Sequence, residues 1–187
     1  MFEVKAPVDR EELLTDLRHL HQEIWSAMDF MDPAVFLAPQ GEFWSPADHM
    51  RHLVRSIRPI ERALSWPKLV LGMRFGRSKR DSMSFEQVRE KYSIQLAAGA
   101  KAGSYGPSPR DPSIPDSDWR ALVLRRFEAV SRDFDKTLTG WTDKDLERYQ
   151  LPHPLLGDLS IKEMLLFTLY HSHHHARRIF ERLSPSS

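Results

Sequence analysis

Nine histidines and no cysteine define the chemistry open to this 187-residue chain. Without thiols there is no disulfide framework, no thiolate zinc site and no cysteine nucleophile, so a metal would be held by imidazole or carboxylate. Four of the nine fall in the run His171-Ser172-His173-His174-His175. The run is internal and lies within an apolar helical segment, which sets it apart from a purification tag. On a helix wheel, His171 falls within about 40° of His175, and Ile161, Met164, Thr168 and Ile179 share that sector. His173 points nearly the opposite way and His174 sits on the flank. Two imidazoles one turn apart on a core-facing stripe must each find a hydrogen-bond partner, and burial opposes charging either of them. A divalent ion meets both demands by accepting a lone pair from each ring, and an i, i+4 pair is a common helical source of two ligands. The plainer alternative is a pair of core-edge histidines bonded to carbonyls or water.

A third donor has to come from another helix, where the candidates are His21, His49 and His52. His21 shares the Leu17/Ile24/Met28 face and could reach the bundle interior. In the second helix, periodicity slightly favours His49 over His52. His49, His21 and the flanking His174 are therefore accessory candidates. Asp48 and Glu163 could brace a ring N–H, but both also suit a first helical turn, where a carboxylate favours the dipole. The helix-terminus reading is preferred. Trp44 and Trp141 read as hydrophobic anchors, and Arg177 and Arg178 as surface residues. No phosphate loop, Walker pattern or Ser-His-Asp signature is present.

Four long helical segments must position these groups. The first starts near Asp9, spaced from Glu12 as in a capping box. Its stripe is Leu13, Leu14, Leu17, Leu20, Ile24 and Met28, and it stops before Pro33. The second begins at Ser45-Pro46, a serine cap followed by proline at the first helical position. It carries Met50, Leu53, Val54 and Ile57, and Pro59 is expected to kink or end it. The third covers about Asp116 to Leu138, with Trp119, Leu122, Val123, Phe127, Val130 and Phe134 as its apolar face. The fourth runs from Ser160, again with capping-box spacing to Glu163, to Leu183. No segment shows convincing strand alternation. Between the second and third helices lies a long connection, roughly Ser65 to Pro115, with a further helix at Ser84 to Ala100 and a Gly/Pro-rich close. A connection this long suits a crossover rather than a tight antiparallel turn. A second loop, Gly140 to Leu159, holds a short turn at Thr142 to Arg148.

Several of these segments resemble one family. Trp44-Ser45-Pro46-Ala47-Asp48-His49-Met50-Arg51-His52-Leu53 is similar to the second-helix motif of the DinB-like superfamily, in which a Trp-Ser/Thr start is followed eight positions later by a ligand histidine and then leucine. Tyr170-His171-Ser172-His173-His174-His175 resembles the fourth-helix motif that supplies the other two ligands. His153-Pro154-Leu155-Leu156-Gly157 and Leu96-Ala97-Ala98-Gly99-Ala100-Lys101-Ala102 are also similar to that family. The resemblance implies an all-α, up-down-down-up four-helix bundle with a long helical crossover between the second and third helices, spanning residues 1–187 as a single domain. It also implies a metal site of His52, His171 and His175, and often a homodimer. The wheel independently selects His171 and His175; only the resemblance selects His52.

Three nitrogen ligands leave coordination positions open for water or substrate, unlike a structural site closed by four protein ligands. Zinc or nickel is favoured, with iron and manganese also compatible with such a donor set. The expected activity is that of an S-transferase or hydrolase, in which metal-bound thiolate or hydroxide attacks a small electrophilic substrate. The thiol version, with a low-molecular-weight thiol as cosubstrate, is implied by the resemblance alone. The alternative is a non-catalytic dimeric module that binds a small molecule or metal, its coordination sphere closed by His21 or His49.

Composition narrows the remaining classes. The formal net charge is +1, which argues against a nucleic-acid partner. Arg74, Arg77, Lys79 and Arg80 form a local basic run, read as a solvated loop. The amino-terminal stretch lacks the apolar core of a signal peptide, and the longest apolar stretch in the carboxy-terminal part, near Met164 to Tyr170, is too short to span a bilayer. A cytoplasmic protein with no membrane partner is expected. Leu166, Leu169 and Tyr170 face away from the histidines, so the fourth helix is apolar nearly all round. It needs cover on its far side from the crossover or from a second subunit, and the second subunit is slightly preferred.

Overall fold

The computed structural model describes residues 4–39, 41–107 and 109–183. Four helices form the bundle: α1 (Arg10–Phe30), α3 (Pro46–Leu64), α6 (Asp116–Leu138) and α8 (Ile161–Leu183). α6 and α8 each pack against both α1 and α3. The core between them is built from the expected stripes, including Leu17, Ile24, Met28, Met50, Leu53, Phe127, Phe134 and Met164. The short helix α2 (Pro33–Leu37) follows α1 and buries Phe36 against α3 and α6.

The helix starts are set by local chemistry. Asp9 accepts from Glu12 N at 2.9 Å, capping α1. Ser45 Oγ accepts from Asp48 N at 3.1 Å and donates to the Asp48 carboxylate at 2.8 Å, closing a capping box at the start of α3. Each such cap answers amide groups that the helix itself leaves without partners. Pro59 neither ends nor breaks α3, which continues to Leu64. An interior proline costs about 3 kcal/mol of helix stability, and burial of Ile57, Ile60 and Leu64 on one face offsets it.

The crossover between α3 and α6 holds α4 (Lys68–Phe75), α5 (Phe85–Ala97) and a single 3₁₀ turn at Gly103–Tyr105. α4 has no side-chain cap and contains Gly72, so local signals for it are weak. That glycine lets the Tyr149 ring pack closely: a Cβ there would sit 3.1 Å from it, so the ring would have to give by a few tenths of an ångström. α5 packs directly on α8, and α7 (Asp143–Arg148) does so as well. Cover for the apolar far side of α8, where Leu166 and Leu169 are buried, thus comes from the chain itself.

The loop before α8 contains an antiparallel hairpin that the sequence does not signal. β1 (Gln150–His153) pairs with β2 (Gly157–Ser160), with Leu151 opposite Leu159 and His153 opposite Gly157. Strands of four residues are too short to display alternation, and Pro152 argues against a strand unless it lies in an edge position. Gly157 adopts φ +75°, a conformation that glycine enters without penalty. No described helix is long and apolar enough to cross a membrane.

Candidate metal centre

The capping box at Ser45 fixes where α3 begins, and from that start His49 and His52 both turn into the bundle. α8 begins with a comparable device. Ser160 Oγ accepts from Glu163 N at 3.2 Å, and the Glu163 carboxylate accepts from Ser160 N at 2.8 Å. That carboxylate is wholly buried and also accepts from Met83 N at 2.6 Å and from the Arg80 guanidinium. Burial pushes its pKa up, but the bonds from Arg80, Met83 and Ser160 outweigh this and hold it below the usual carboxylate range. Asp48 and Glu163 therefore secure helix starts, and among the described residues neither carboxylate is bonded to an imidazole. Arg80, taken from sequence as part of a solvated basic run, is instead the cation that ties the crossover to α8.

With α3 and α8 so placed, three rings meet. His52 Nε2 lies 3.0 Å from His171 Nε2, and His175 Nε2 lies 3.1 Å from the same atom. All three residues are buried, and one nitrogen from each falls within 4.8 Å of the others. His52 Nδ1 stands 2.9 Å from the carbonyl oxygen of Tyr105. A carbonyl can only accept, so Nδ1 carries the proton and Nε2 presents a lone pair to the other rings. His175 Nδ1 is 2.7 Å from His49 Nδ1. With the lone pair of His175 Nε2 turned inward, its Nδ1 donates and His49 accepts.

The electrostatics keep these rings neutral. Burial, reinforced by neighbouring histidines, holds His171 and His175 well below the ordinary imidazole range. Burial lowers His52 too, against the opposing pull of the Tyr105 carbonyl. Neutral rings leave the centre short of protons. A proton on His171 Nε2 can be aimed well at only one of its two neighbours, which leaves the other nitrogen facing it without a bond. One shared cation satisfies all three lone pairs at once. Nitrogens bound to a tetrahedral zinc at about 2.0–2.1 Å lie about 3.3 Å apart, close to the contacts of 3.0 and 3.1 Å seen here. The donor set fits a divalent metal.

The remaining candidates sit elsewhere. His49 touches the outer nitrogen of His175 rather than the point of convergence. His21 is buried against Ser172 Oγ at 3.1 Å, with its ring edge-on to Phe127. His174 lies on the flank beside Tyr92 and Tyr170. Arg177 pairs with Glu181 at 2.9 Å on the surface. Trp141 acts as the expected anchor, buried and donating from Nε1 to Leu64 O at 3.2 Å. Trp44 does more than anchor. Its ring stacks on His175 at 6.1 Å and 14°, lies 5.1 Å from His52 and 5.5 Å from His49, and roofs the cluster.

A cavity of about 460 Å³ opens from the trio. Its walls are mostly apolar: Ile60, Phe75, Leu96, Leu151, Leu155 and Phe167, with Trp44 at the histidine end. Phe167 stacks on His171 at 5.0 Å and meets the His153 ring edge-on at 4.3 Å. His153 Nδ1 accepts from Leu155 N and Leu156 N at 3.2 and 3.1 Å, so its proton resides on Nε2. Burial first, then Lys91, lowers the His153 pKa to about 4. Tyr92 also lines the cavity, and burial raises its pKa to about 12. Sequence reasoning missed Tyr92, Tyr105, Phe167 and the cavity role of His153. The His-Pro-Leu-Leu-Gly segment carried the signal for His153, but a backbone carbonyl such as that of Tyr105 leaves none.

Comparison with known proteins agrees with this architecture. A family model described as the DinB superfamily matches residues 13–179. Among solved structures, the chain is similar to YfiT from Bacillus subtilis, described as a probable metal-dependent hydrolase with an unusual four-helix bundle topology. The two share 16% identity at a TM-score of 0.57, over 97% of this chain and 91% of that one. At that identity the likeness establishes the fold. No curated protein sequence matches the chain.

Proposed function

The chain belongs to the DinB superfamily, and on that footing we propose that it is a divalent-metal-dependent enzyme acting on a small, largely apolar electrophile. His52, His171 and His175 would hold the ion. The observation that carries this reading is the convergence of three neutral Nε2 atoms, two of whose outer nitrogens are already engaged. When bound, the ion supplies Lewis acidity, lowering the pKa of a water or thiol that shares it or polarising the substrate.

The protein's own groups do the rest. The Tyr105 carbonyl and His49 fix ring orientation and tautomer, as partners of metal-binding imidazoles commonly do. Trp44 and Phe167 shield the rings from water. The apolar cavity wall selects substrates without charge, and Tyr92 and His153 offer hydrogen-bond donors to the carbonyl-type oxygen of a bound substrate. Both remain in their donor forms across neutral pH.

Hydrolase and thiol-dependent S-transferase chemistry differ only in what shares the ion. The thiol version draws its support from family resemblance, and the absence of cysteine means the thiol would come from outside the chain. The test is turnover by zinc- or nickel-loaded protein against a panel of esters, amides and alkyl halides, with and without low-molecular-weight thiols. Turnover only with thiol supports the transferase; turnover in buffer alone supports the hydrolase. Loaded protein that binds panel compounds but turns none over would favour a non-catalytic binding module. Against that module stands the placement of His21 and His49, each engaged away from the point where a fourth ligand would close the sphere.

A further inference from the structure

A chain with no membrane-spanning helix among its described residues can still meet a bilayer with its surface. Along α4 the structure leaves an apolar face uncovered. Trp66, Leu69, Val70 and Met73 are 42%, 65%, 41% and 72% exposed, while Leu71 on the opposite side is fully buried. The face is continuous with the cavity: Trp66 stacks on Phe75 at 6.0 Å and 17°, and Phe75 is part of the cavity wall.

Charge on the same stretch is one-sided. Residues 62–80 hold six cations, Arg62, Lys68, Arg74, Arg77, Lys79 and Arg80, and no carboxylate, in a chain whose net charge is only +1. Lys68 is paired with Asp145 and Arg80 with Glu163. Arg62, Arg74, Arg77 and Lys79 are exposed and form no ion pair among the described residues.

Arg74 and Arg77 lie over the rings of Phe75 and Tyr149, contacts that leave their charge unneutralised. From this juxtaposition we propose that the α4 face docks reversibly on an anionic lipid surface, with Trp66, Leu69, Val70 and Met73 seated among the acyl chains and these four cations among the headgroups. An apolar strip flanked by cations is what an interfacial helix presents to such a membrane. A second copy meeting this face symmetrically would set like charges against one another. Nucleic acid would match the cations but leave Leu69 and Met73 against water and phosphate. Docking here would bring the mouth of an apolar cavity to the phase in which apolar substrates concentrate. The proposal does not depend on the metal centre.

The test is flotation of the full-length chain with vesicles of phosphatidylcholine, alone or mixed with phosphatidylglycerol, at low and high salt. Binding is expected with the anionic vesicles, weakened by salt. Leu69→Asp/Met73→Asp should abolish it. Arg74→Glu/Lys79→Glu, which leaves the apolar residues intact and guards against misfolding of the first variant, should weaken it about thirtyfold or more. The proposal is overturned if wild-type protein ignores anionic vesicles, or binds neutral ones equally well regardless of salt. It also fails if Leu69→Asp/Met73→Asp merely splits a dimer that never floats, which would identify the face as an interface between copies.

Discussion

Two sets of buried histidine contacts lie on neighbouring faces of α8, one at Ser172 and one at His171 and His175, and they are satisfied differently. His21 from α1 meets Ser172 Oγ at 3.1 Å and rests edge-on against Phe127. A hydroxyl both donates and accepts, so this pair is satisfied in either ring tautomer. One residue away, His171 meets His52 and His175 with nitrogens that all want the same missing partner. Burial and neutrality are common to both groups. What separates them is the count of lone pairs left over, and that count, rather than histidine content or depth, marks the candidate metal centre.

Removing rings from each set should have the largest and most distinct effects. His171→Ala/His175→Ala should abolish metal binding, and with it any rise in melting temperature on adding zinc. His21→Ala should leave metal content unchanged while lowering stability by about 2–4 kcal/mol, through the cavity formed and the hydroxyl stranded at Ser172. Denaturant unfolding of the metal-free proteins measures the second effect. If His21→Ala also loses metal, the two groups are not separate.

Acid should act on both groups, but differently. The His21 pKa is lowered by burial from about 6.5 to about 4, so the unfolded chain binds the proton first. Its stabilising contribution is complete above pH 6.5 and is lost as pH falls towards 4, by an amount on the order of 3 kcal/mol. Replacement by glutamine should flatten that part of the stability–pH curve. At the metal centre, depressed proton affinity makes protons poor competitors for the ligand nitrogens. Bound metal should therefore persist below the ordinary imidazole range, which an acid titration with a chelating indicator measures.

A smaller effect is expected at His49, which engages His175 from behind. His49→Phe should weaken metal affinity about tenfold to a hundredfold while leaving stoichiometry intact. An unchanged affinity would show that the Nδ1 contact does not orient the ring.

Legibility in the sequence followed how local each cause is. The four bundle helices were readable because caps such as Ser45-Pro46 and Ser160/Glu163 and the apolar stripes act within a few residues. His171 and His175 shared a face by helical geometry alone. Between His49 and His52 periodicity slightly favoured His49, and it could not separate them further because both turn inward from the same α3 start. Family resemblance selected His52, and the structure brings His52, not His49, to the convergence. Everything depending on distant chain was hidden. Examples are the Tyr105 carbonyl 53 residues from His52, the Arg80–Glu163 pair 83 residues apart, and the roof that Trp44 forms over three rings. The 150–160 hairpin was hidden because its strands are shorter than any periodic signal.

The central claim is that His52, His171 and His175 together hold one divalent ion. Its most direct test is elemental analysis of the untagged wild-type protein beside His171→Ala/His175→Ala. Near-stoichiometric metal is expected in the wild type, or uptake of one equivalent of zinc, nickel or manganese on reconstitution, with none retained by the variant. A wild-type protein that carries no metal and takes up none of these ions would contradict it, leaving the three rings as a buried structural cluster.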